Sequence, residues 1–290
     1  MARERKEDFN ALLAQYAIER YLYRLSRSSV SSRFVLKGAM LFRIWASDLH
    51  RPTKDLDLLG FGDASPDSVA AVVREIIQTP VEEDGVVFDS SSVHASEIRE
   101  NQGYRGVRVK LLASLDGVPI PVQLDIGFGD AIVPDPKSEQ FPTLLDFPAP
   151  RLRVYPRESV VAEKLQAIVV LGIANSRMKD FYDLWTLSRG FEFDGETLAR
   201  AIRATFERRG TPLPHGVPLG LTAEFAADAT KQTQWKAFLT RLAIEDTPVD
   251  LGVVIDEIRG FLVPAIQSAV DDSEIRFTWP PGGPWSDTSR

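Results

Sequence analysis

The 290-residue chain contains no cysteine and only three histidines, His50, His94 and His215, which lie far apart in the sequence. The lack of cysteine excludes disulfides, thiolate zinc sites and a cysteine nucleophile. Three widely spaced histidines argue against a histidine metal cluster and against a serine–histidine–aspartate triad. Any metal is therefore expected on carboxylates, which favours Mg²⁺ or Mn²⁺.

Long apolar runs are missing as well. No segment approaches the roughly 18 apolar residues of a membrane span, and the first eight residues, Met-Ala-Arg-Glu-Arg-Lys-Glu-Asp, lack the apolar core of a signal segment. Together with the lack of cysteine, this predicts a cytoplasmic protein with no membrane partner. The composition, 44% hydrophobic and 26% charged, is typical of a globular protein, and the length favours two domains.

The net charge of −7 argues against a protein that coats nucleic acid non-specifically. The charge is distributed unevenly, however. Residues 1–60 hold 11 Lys/Arg against 7 Asp/Glu, residues 151–210 hold 11 against 8, and residues 211–290 hold 6 against 11. The two segments that lean basic are the ones that contain the motifs described below.

Hydrophobic periodicity divides the chain into a mixed first part and a helical second part. Helices are predicted over the first thirty residues, after Lys37-Gly38-Ala39 and from Ser65; strands are predicted at 34–36, around 56–59 and within 86–128; residues 127–156 are expected to form a connecting loop region. We place the domain boundary near residue 150, giving domains 1–150 and 151–290. Helices are predicted at 158–173 and 178–189, and a flexible tail from about residue 280. The fold class is α+β.

The sharpest local feature is Thr53-Lys54-Asp55-Leu56-Asp57-Leu58. Residues two apart on a strand point to the same face, so Asp55 and Asp57 present paired carboxylates side by side. Adjacent carboxylates repel each other unless a cation lies between them, and a hard divalent metal serves that purpose. Taken alone, an Asp-x-Asp pair is also compatible with a solvated strand edge or turn.

The surroundings of the pair favour a phosphate-handling site. Gly38, seventeen residues before Asp55, belongs to a small-residue turn that opens a helix, where free backbone N–H groups can receive phosphate oxygens. Asp125 adds a third carboxylate on another predicted strand, although it could equally head the turn that follows. Three strand carboxylates beside such a turn predict metal-dependent phosphoryl or nucleotidyl transfer.

These residues carry a resemblance to a known family. The stretch Phe34 to Leu41 (FVLKGAML) followed by Arg51 to Leu58 (RPTKDLDL) resembles the AbiEii/AbiGii (MenT-like) nucleotidyltransferase toxins of the DNA polymerase β-like nucleotidyltransferase superfamily. Val161 to Leu165 (VAEKL) and Arg177 to Leu184 (RMKDFYDL) resemble the second block of the same family. The resemblance runs from about residue 34 to about residue 190, and it is the order and spacing of the pieces that make it specific.

The resemblance implies a nucleotidyltransferase-like mixed sheet flanked by helices, followed by a mostly helical domain that contributes to the active site. It implies that Asp55, Asp57 and Asp125 hold the metal ions. The groups expected to bind the nucleotide are Lys37, Gly38, Ala39, Lys164, Arg177, Lys179, Asp180 and Asp183, with Lys179 also taken as catalytic. One departure is that Gly38-Ala39 stands where the wider superfamily has Gly-Ser, so a phosphate-binding hydroxyl is missing.

The second block also has an interpretation from its residues alone. Lys179 and Asp183 are four residues apart on a predicted helix, so they share a face and can form an ion pair. A lysine held in this way can stabilise a triphosphate. A surface salt bridge worth under about 1 kcal/mol is the alternative.

The resemblance further implies a toxin that adds nucleotides from an NTP to an RNA, typically the 3′ end of tRNA, so that translation is blocked. It implies a cognate antitoxin as partner. Two alternatives stay open: transfer to a small molecule such as an aminoglycoside or to a protein hydroxyl, and a non-catalytic module that binds nucleotides. The basic residues closest in sequence to the proposed site, and so the candidates for contact with RNA, are Arg43, Arg51, Lys54, Arg177 and Arg189.

Overall fold

The computed structural model describes residues 8–45, 53, 55–99, 105–242, 250–271 and 277–287. Arg51 and Lys54, two of the basic residues expected beside the acidic pair, lie outside these ranges. Within them, no helix combines the length and the apolar character needed to cross a lipid bilayer.

The bounds of the described elements are as follows. The helices are α1 (Phe9–Arg27), α2 (Phe42–Trp45), α3 (Pro66–Ile77), α4 (Arg157–Leu171), α5 (Met178–Gly190), α6 (Gly195–Arg208), α7 (Ala223–Ala227), α8 (Ala229–Leu242) and α9 (Leu251–Asp271). The strands are β1 (Phe34–Lys37), β2 (Asp55–Gly60), β3 (Val86–Arg99), β4 (Arg105–Leu115), β5 (Val118–Phe128), β6 (Lys137–Gln140), β7 (Arg151–Val154), β8 (Phe193–Asp194), β9 (Phe277–Trp279) and β10 (Ser286–Asp287). Short 3₁₀ helices lie at Ser31–Arg33, Gly38–Leu41, Gly172–Ala174 and Leu219–Leu221.

Seven of these strands form one mixed sheet in the order β3-β4-β5-β2-β1-β7-β6. Strand β2 runs parallel to β5 and antiparallel to β1, while β1 runs parallel to β7. The other neighbouring pairs are antiparallel. A mixed sheet with flanking helices, followed by a helical C-terminal region, confirms the predicted fold class.

The two faces of the sheet differ in polarity at its centre. Leu56 and Leu58 of β2 and Leu124 and Ile126 of β5 are completely buried. Helix α1 packs against β5 and α3 packs against β3. Because side chains alternate along a strand, the residues between these leucines and isoleucine lie on the opposite face, which is where the predicted carboxylates are found.

The segment 127–156, predicted as a connecting loop, contains β6 and β7 and so contributes two strands to the sheet. This part of the prediction is wrong. Each strand has only four residues, and β6 (Lys-Ser-Glu-Gln) is polar and exposed along its length. No apolar alternation therefore marks it as a strand, and its place in the sheet comes from pairing with β7.

The chain divides into two compact units, one formed by Met1–Asp130 and Pro136–Tyr155 and the other by Ala131–Asp135 and Pro156–Arg290. The core of the second unit contains α9, whose apolar side chains are buried and which packs against α5, α6 and α7.

The expected flexible tail from about residue 280 is wrong for residues 280–287. Strand β10 pairs with β9, which pairs with β8, to make a small three-stranded sheet. The indole of Trp279 donates to the carbonyl oxygen of Ser188 at 2.7 Å, and that of Trp285 donates to the carbonyl oxygen of Phe261 at 3.0 Å. The Pro- and Gly-rich composition predicted flexibility, whereas two tryptophans anchor the segment on the core.

Candidate active site

Strands β2 and β5 place the three predicted carboxylates on one face of the sheet. In the parallel register, Asp57 lies directly opposite Asp125 and Asp55 lies opposite Gln123. Neighbouring strands are about 4.8 Å apart, so Asp57 and Asp125 are side by side. The amide Nε2 of Gln123 donates to Oδ1 of Asp55 at 3.1 Å. Asp55 is exposed, and Asp57 and Asp125 are half-buried.

Gly38 lies in direct contact with Asp57. It has a φ of +75°, in the left-handed region that glycine occupies without strain. A Cβ built on Gly38 would overlap the carboxylate of Asp57. The turn is therefore held against Asp57 as closely as backbone can approach a side chain, and only glycine fits there. The next residue, Ala39, is buried in the 3₁₀ helix that follows.

Lys37 lies opposite Asp57 in the register of β1 with β2. Its Nζ is 2.7 Å from Oδ2 of Asp130, and both side chains are largely buried. The ammonium group also lies 5.2 Å from the ring centroid of Tyr155. Lys37, which was expected to neutralise phosphate, is therefore already paired with a carboxylate.

Asp125 carries a partner that was not among the residues predicted from the sequence. The guanidinium of Arg108 binds both carboxylate oxygens of Asp125, with Nε to Oδ1 at 2.8 Å and Nη2 to Oδ2 at 2.7 Å. The signal for this pair lies in the hairpin turn. Asp116 and Gly117 both have positive φ, at 49° and 77°, as a two-residue type I′ turn requires. Counting back from Leu115 opposite Val118, the antiparallel register puts Arg108 opposite Asp125.

The donor set matches a hard divalent cation only in part. Asp55 and Asp57 offer carboxylate oxygens on one face, the ligand type that Mg²⁺ prefers. Among the described residues, however, no three His, Asp or Glu side chains are gathered as a ready metal site. Since Arg108 engages both oxygens of Asp125, that carboxylate can act as a third ligand only if the guanidinium releases at least one of them.

The predicted residues of the second block form a buried charge cluster in the second unit. Lys164 of α4 reaches α5 and binds Oδ1 of Asp180 at 2.9 Å and Oδ2 of Asp183 at 2.6 Å. Both aspartate side chains are 0% exposed, and that of Lys164 is 14% exposed. Nε of Arg177 lies 2.7 Å from Oδ2 of Asp180. Two carboxylates and two cations therefore compensate one another.

Asp180 stays ionised in spite of its surroundings. Burial acts to raise its pKa, but the charges of Lys164 and Arg177 and the hydrogen bond from Lys164 outweigh burial and hold the pKa of Asp180 below its usual value. The neighbouring carboxylate of Asp183 opposes them. The cluster is consequently most favourable when both of its cations are present.

The predicted ion pair between Lys179 and Asp183 is wrong. Asp183 faces inward and binds Lys164, whereas Lys179 is exposed. Within the described part of the chain, no carboxylate lies within 4 Å of Lys179. Asp180 and Asp183 share the buried face of α5 at a spacing of three residues, and Lys179 precedes Asp180 by one residue, about 100° around the helix, on the solvent side.

Three of the basic residues expected to contact RNA make contacts within the protein. Arg177 is bound to Asp180, and Arg189 lies 3.0 Å from Glu257. Arg43 lies 5.8 Å from the ring centroid of Phe141. The guanidinium of Arg189 also contacts the ring of Trp185, at 5.1 Å from the centroid.

Comparisons with known proteins identify the family and the fold. The family model described as "Nucleotidyl transferase AbiEii toxin, Type IV TA system" matches residues 20–272. The crystal structure of JHP933 from Helicobacter pylori is 15% identical, with a TM-score of 0.53, and the match covers 91% of this chain and 95% of that one. A candidate nucleotidyltransferase from H. pylori is 14% identical, with a TM-score of 0.52, and 92% and 99% are covered. At these identities the likeness concerns the fold alone. No protein with a curated description matches the chain.

Proposed function

Because the chain belongs to the AbiEii family of nucleotidyltransferase toxins of type IV toxin–antitoxin systems, we propose that it transfers a nucleotide from an NTP to the 3′ end of an RNA, with tRNA as the first acceptor to test. The single observation that carries the proposal is the contact of the Gly38 turn with Asp57, beside Asp125 on the adjacent parallel strand. This arrangement brings backbone and two carboxylates to one point on one face of the sheet.

The reaction joins the acceptor hydroxyl oxygen to the α-phosphorus of the NTP and breaks the bond from that phosphorus to the bridging oxygen, so that pyrophosphate leaves and the hydroxyl proton is released to water. Divalent cations such as Mg²⁺ supply Lewis acidity at the phosphoryl oxygens and lower the pKa of the attacking hydroxyl. Asp55 and Asp57 would hold them, with Asp125 as the third ligand once Arg108 releases an oxygen. Gln123 orients Asp55 through its hydrogen bond at 3.1 Å. Because the turn carries no side chain at Gly38, its backbone can lie directly against Asp57.

In the second unit, the roles are divided between exposed and buried groups. Lys179 is exposed at the start of α5, so its ammonium group is available to bind triphosphate oxygens. Arg177 is 45% exposed and bound to Asp180, which fixes the guanidinium while leaving N–H donors toward solvent. Lys164, Asp180 and Asp183 lie beneath them and hold the start of α5 in place.

The acceptor is tested by incubating the purified protein with each α-labelled NTP, Mg²⁺ and total tRNA, with an aminoglycoside as the competing acceptor. We expect label on tRNA and none on the aminoglycoside. Transfer to tRNA should fall steeply between low and moderate salt, because binding a polyanion releases counterions, while the affinity for NTP changes much less.

The same comparison of acceptors has outcomes that would contradict the proposal. Efficient labelling of the aminoglycoside with none of tRNA, or transfer to tRNA that is indifferent to salt, would contradict an RNA acceptor. NTP binding without any covalent transfer to tRNA, aminoglycoside or protein would indicate a nucleotide-binding module.

Co-production with the cognate antitoxin that the family implies should restore growth of cells expressing the toxin.

A further inference from the structure

The face that carries the carboxylates continues beyond them toward the edge of the sheet. In the antiparallel register of β5, β4 and β3, Asp125 is followed by Arg108 and then by Ser96. One row along the strands, Gln123 is followed by Lys110 and then by His94. Directly opposed residues in a sheet share a face, so these side chains extend the same surface.

The charge on this surface changes sign across the sheet. Asp55 and Asp57 lie on β2, Arg108 and Lys110 lie on β4, and the two strands are separated by two strand spacings, about 10 Å. Lys110 and His94 are exposed, and the side chain of Arg108, which is paired with Asp125, is 40% exposed. Across the described ranges, no carboxylate lies within 4 Å of Lys110. We call Arg108, Lys110 and His94 the basic strip.

The basic strip is bounded on one side. In the next row, Leu112 lies opposite Pro121, and both are exposed and uncharged. Asp89 follows at the edge strand, opposite Leu112. Its carboxylate accepts hydrogen bonds from Ser91. The strip therefore comprises two rows about 7 Å apart along the strands, enough for two or three phosphates of an extended chain.

We propose that the basic strip binds the phosphodiester backbone of the RNA acceptor immediately before its reacting end. The inference rests on the proposed function, because it assigns a place to the acceptor of that reaction. The terminal hydroxyl of an acceptor strand must reach the carboxylates, and the phosphates before it need cations. On this surface the carboxylates lie on β2 and the cations lie on β4, in the same order. Lysine and arginine bind phosphate by charge and hydrogen bonds, and a histidine N–H is a further donor.

The proposal explains how a chain of net charge −7 can hold a polyanion. The attraction is confined to a short stretch whose cations lie beside the reacting groups, so most of the protein surface does not take part. Each phosphate bound at the strip adds about 0.7 to the salt slope for a single strand, so the strip accounts for one part of the steep dependence expected for tRNA as a whole.

The test measures binding of a fluorescent single-stranded RNA by anisotropy, without NTP, at several salt concentrations. Lys110→Glu should weaken binding at least tenfold, and Lys110→Ala should lower the salt slope by about 0.7. The matched control is Lys137→Glu, since Lys137 is an exposed lysine on β6 at the opposite edge of the same sheet. It changes the net charge equally and should leave RNA binding within twofold. All variants should keep the wild-type circular dichroism spectrum and affinity for NTP.

Equal weakening by Lys110→Glu and Lys137→Glu would overturn the strip, since it would show an effect of net charge alone. Loss of NTP affinity in Lys110→Glu, with RNA binding intact, would overturn it in favour of a contact to the triphosphate. The two proposals fail separately. Transfer to RNA at the wild-type rate in Lys110→Glu removes the strip and leaves the proposed function. RNA binding that depends on Lys110, with no transfer by the wild type, removes the function and leaves the strip.

Discussion

Replacing Asp57 by asparagine should reduce nucleotide transfer by at least about 10²–10³-fold, the loss typical of removing a main electrostatic stabiliser. Asp57 lies against Gly38 on one side and opposite Asp125 on the other. Asparagine has nearly the same shape, so the contact with the Gly38 turn is retained. The negative charge is lost, and with it the ability to hold a divalent cation. The measurement is the rate of label incorporation at saturating Mg²⁺.

The matched control for this substitution is Glu139→Gln on β6. Glu139 is an exposed carboxylate on the same sheet, and neutralising it changes the net charge by the same amount. We expect wild-type transfer from this variant and an unchanged thermal midpoint from both. Full activity of Asp57→Asn, with the wild-type requirement for Mg²⁺, would remove Asp57 from the site.

Replacing Lys164 by methionine should destabilise the second unit by about 3–5 kcal/mol, the range observed when one partner of a buried ion pair is removed. The substitution leaves the carboxylates of Asp180 and Asp183 buried with Arg177 as their remaining cation in the cluster. Four of the five tryptophans belong to this unit, so tryptophan fluorescence in a urea titration reports mainly on its unfolding.

Two further variants distinguish the loss of a buried ion-pair partner from the loss of any positive charge. Lys179→Ala removes an exposed lysine from the same helix and should change the unfolding free energy by less than about 0.5 kcal/mol. Adding Asp183→Asn to Lys164→Met should recover part of the lost stability, because one buried charge is then removed together with its partner. If Lys164→Met and Lys179→Ala are equally stable, the cluster does not stabilise the unit.

The cluster also implies a dependence of stability on acid. The pKa of Asp180 is lower in the folded protein than its usual value, because the charges of Lys164 and Arg177 outweigh the effect of burial. Folding is therefore favoured by its ionised form. This contribution is fully present above about pH 4, the value for an unfolded aspartate. It is lost as the pH falls below that value toward the folded pKa.

The parts of the site that the sequence could predict are the local ones. The two-residue spacing of Asp55 and Asp57 on a strand, with the apolar Leu56 between them, predicted one shared face, and the structure places both there. Asp125 follows the same rule on β5. The sequence could predict that Gly38 forms a turn of the right type, but not that the turn lies close to the carboxylates. That its backbone touches Asp57 depends on β1 pairing with β2.

The parts that the sequence could not predict depend on which face of an element is buried. Helical spacing makes Lys179 and Asp183 neighbours, but it does not say that α5 turns Asp183 inward toward Lys164, nineteen residues earlier. The Arg108–Asp125 pair, by contrast, could have been predicted from the sequence. Recognising Asp116-Gly117 as a two-residue hairpin turn sets the register of β4 with β5, and the pair follows by counting.

Nucleotide transfer at Asp55, Asp57 and Asp125 is tested most directly by comparing two preparations of the same NTP that are labelled at different phosphates. The protein is incubated with Mg²⁺, tRNA and NTP labelled either at the α-phosphate or at the γ-phosphate. We predict that the α-label becomes covalently attached to tRNA, that the γ-label leaves as pyrophosphate in equal amount, and that Asp57→Asn loses both signals together. Attachment of the γ-label would show phosphoryl transfer instead, and attachment of neither label to any acceptor would contradict a nucleotidyltransferase.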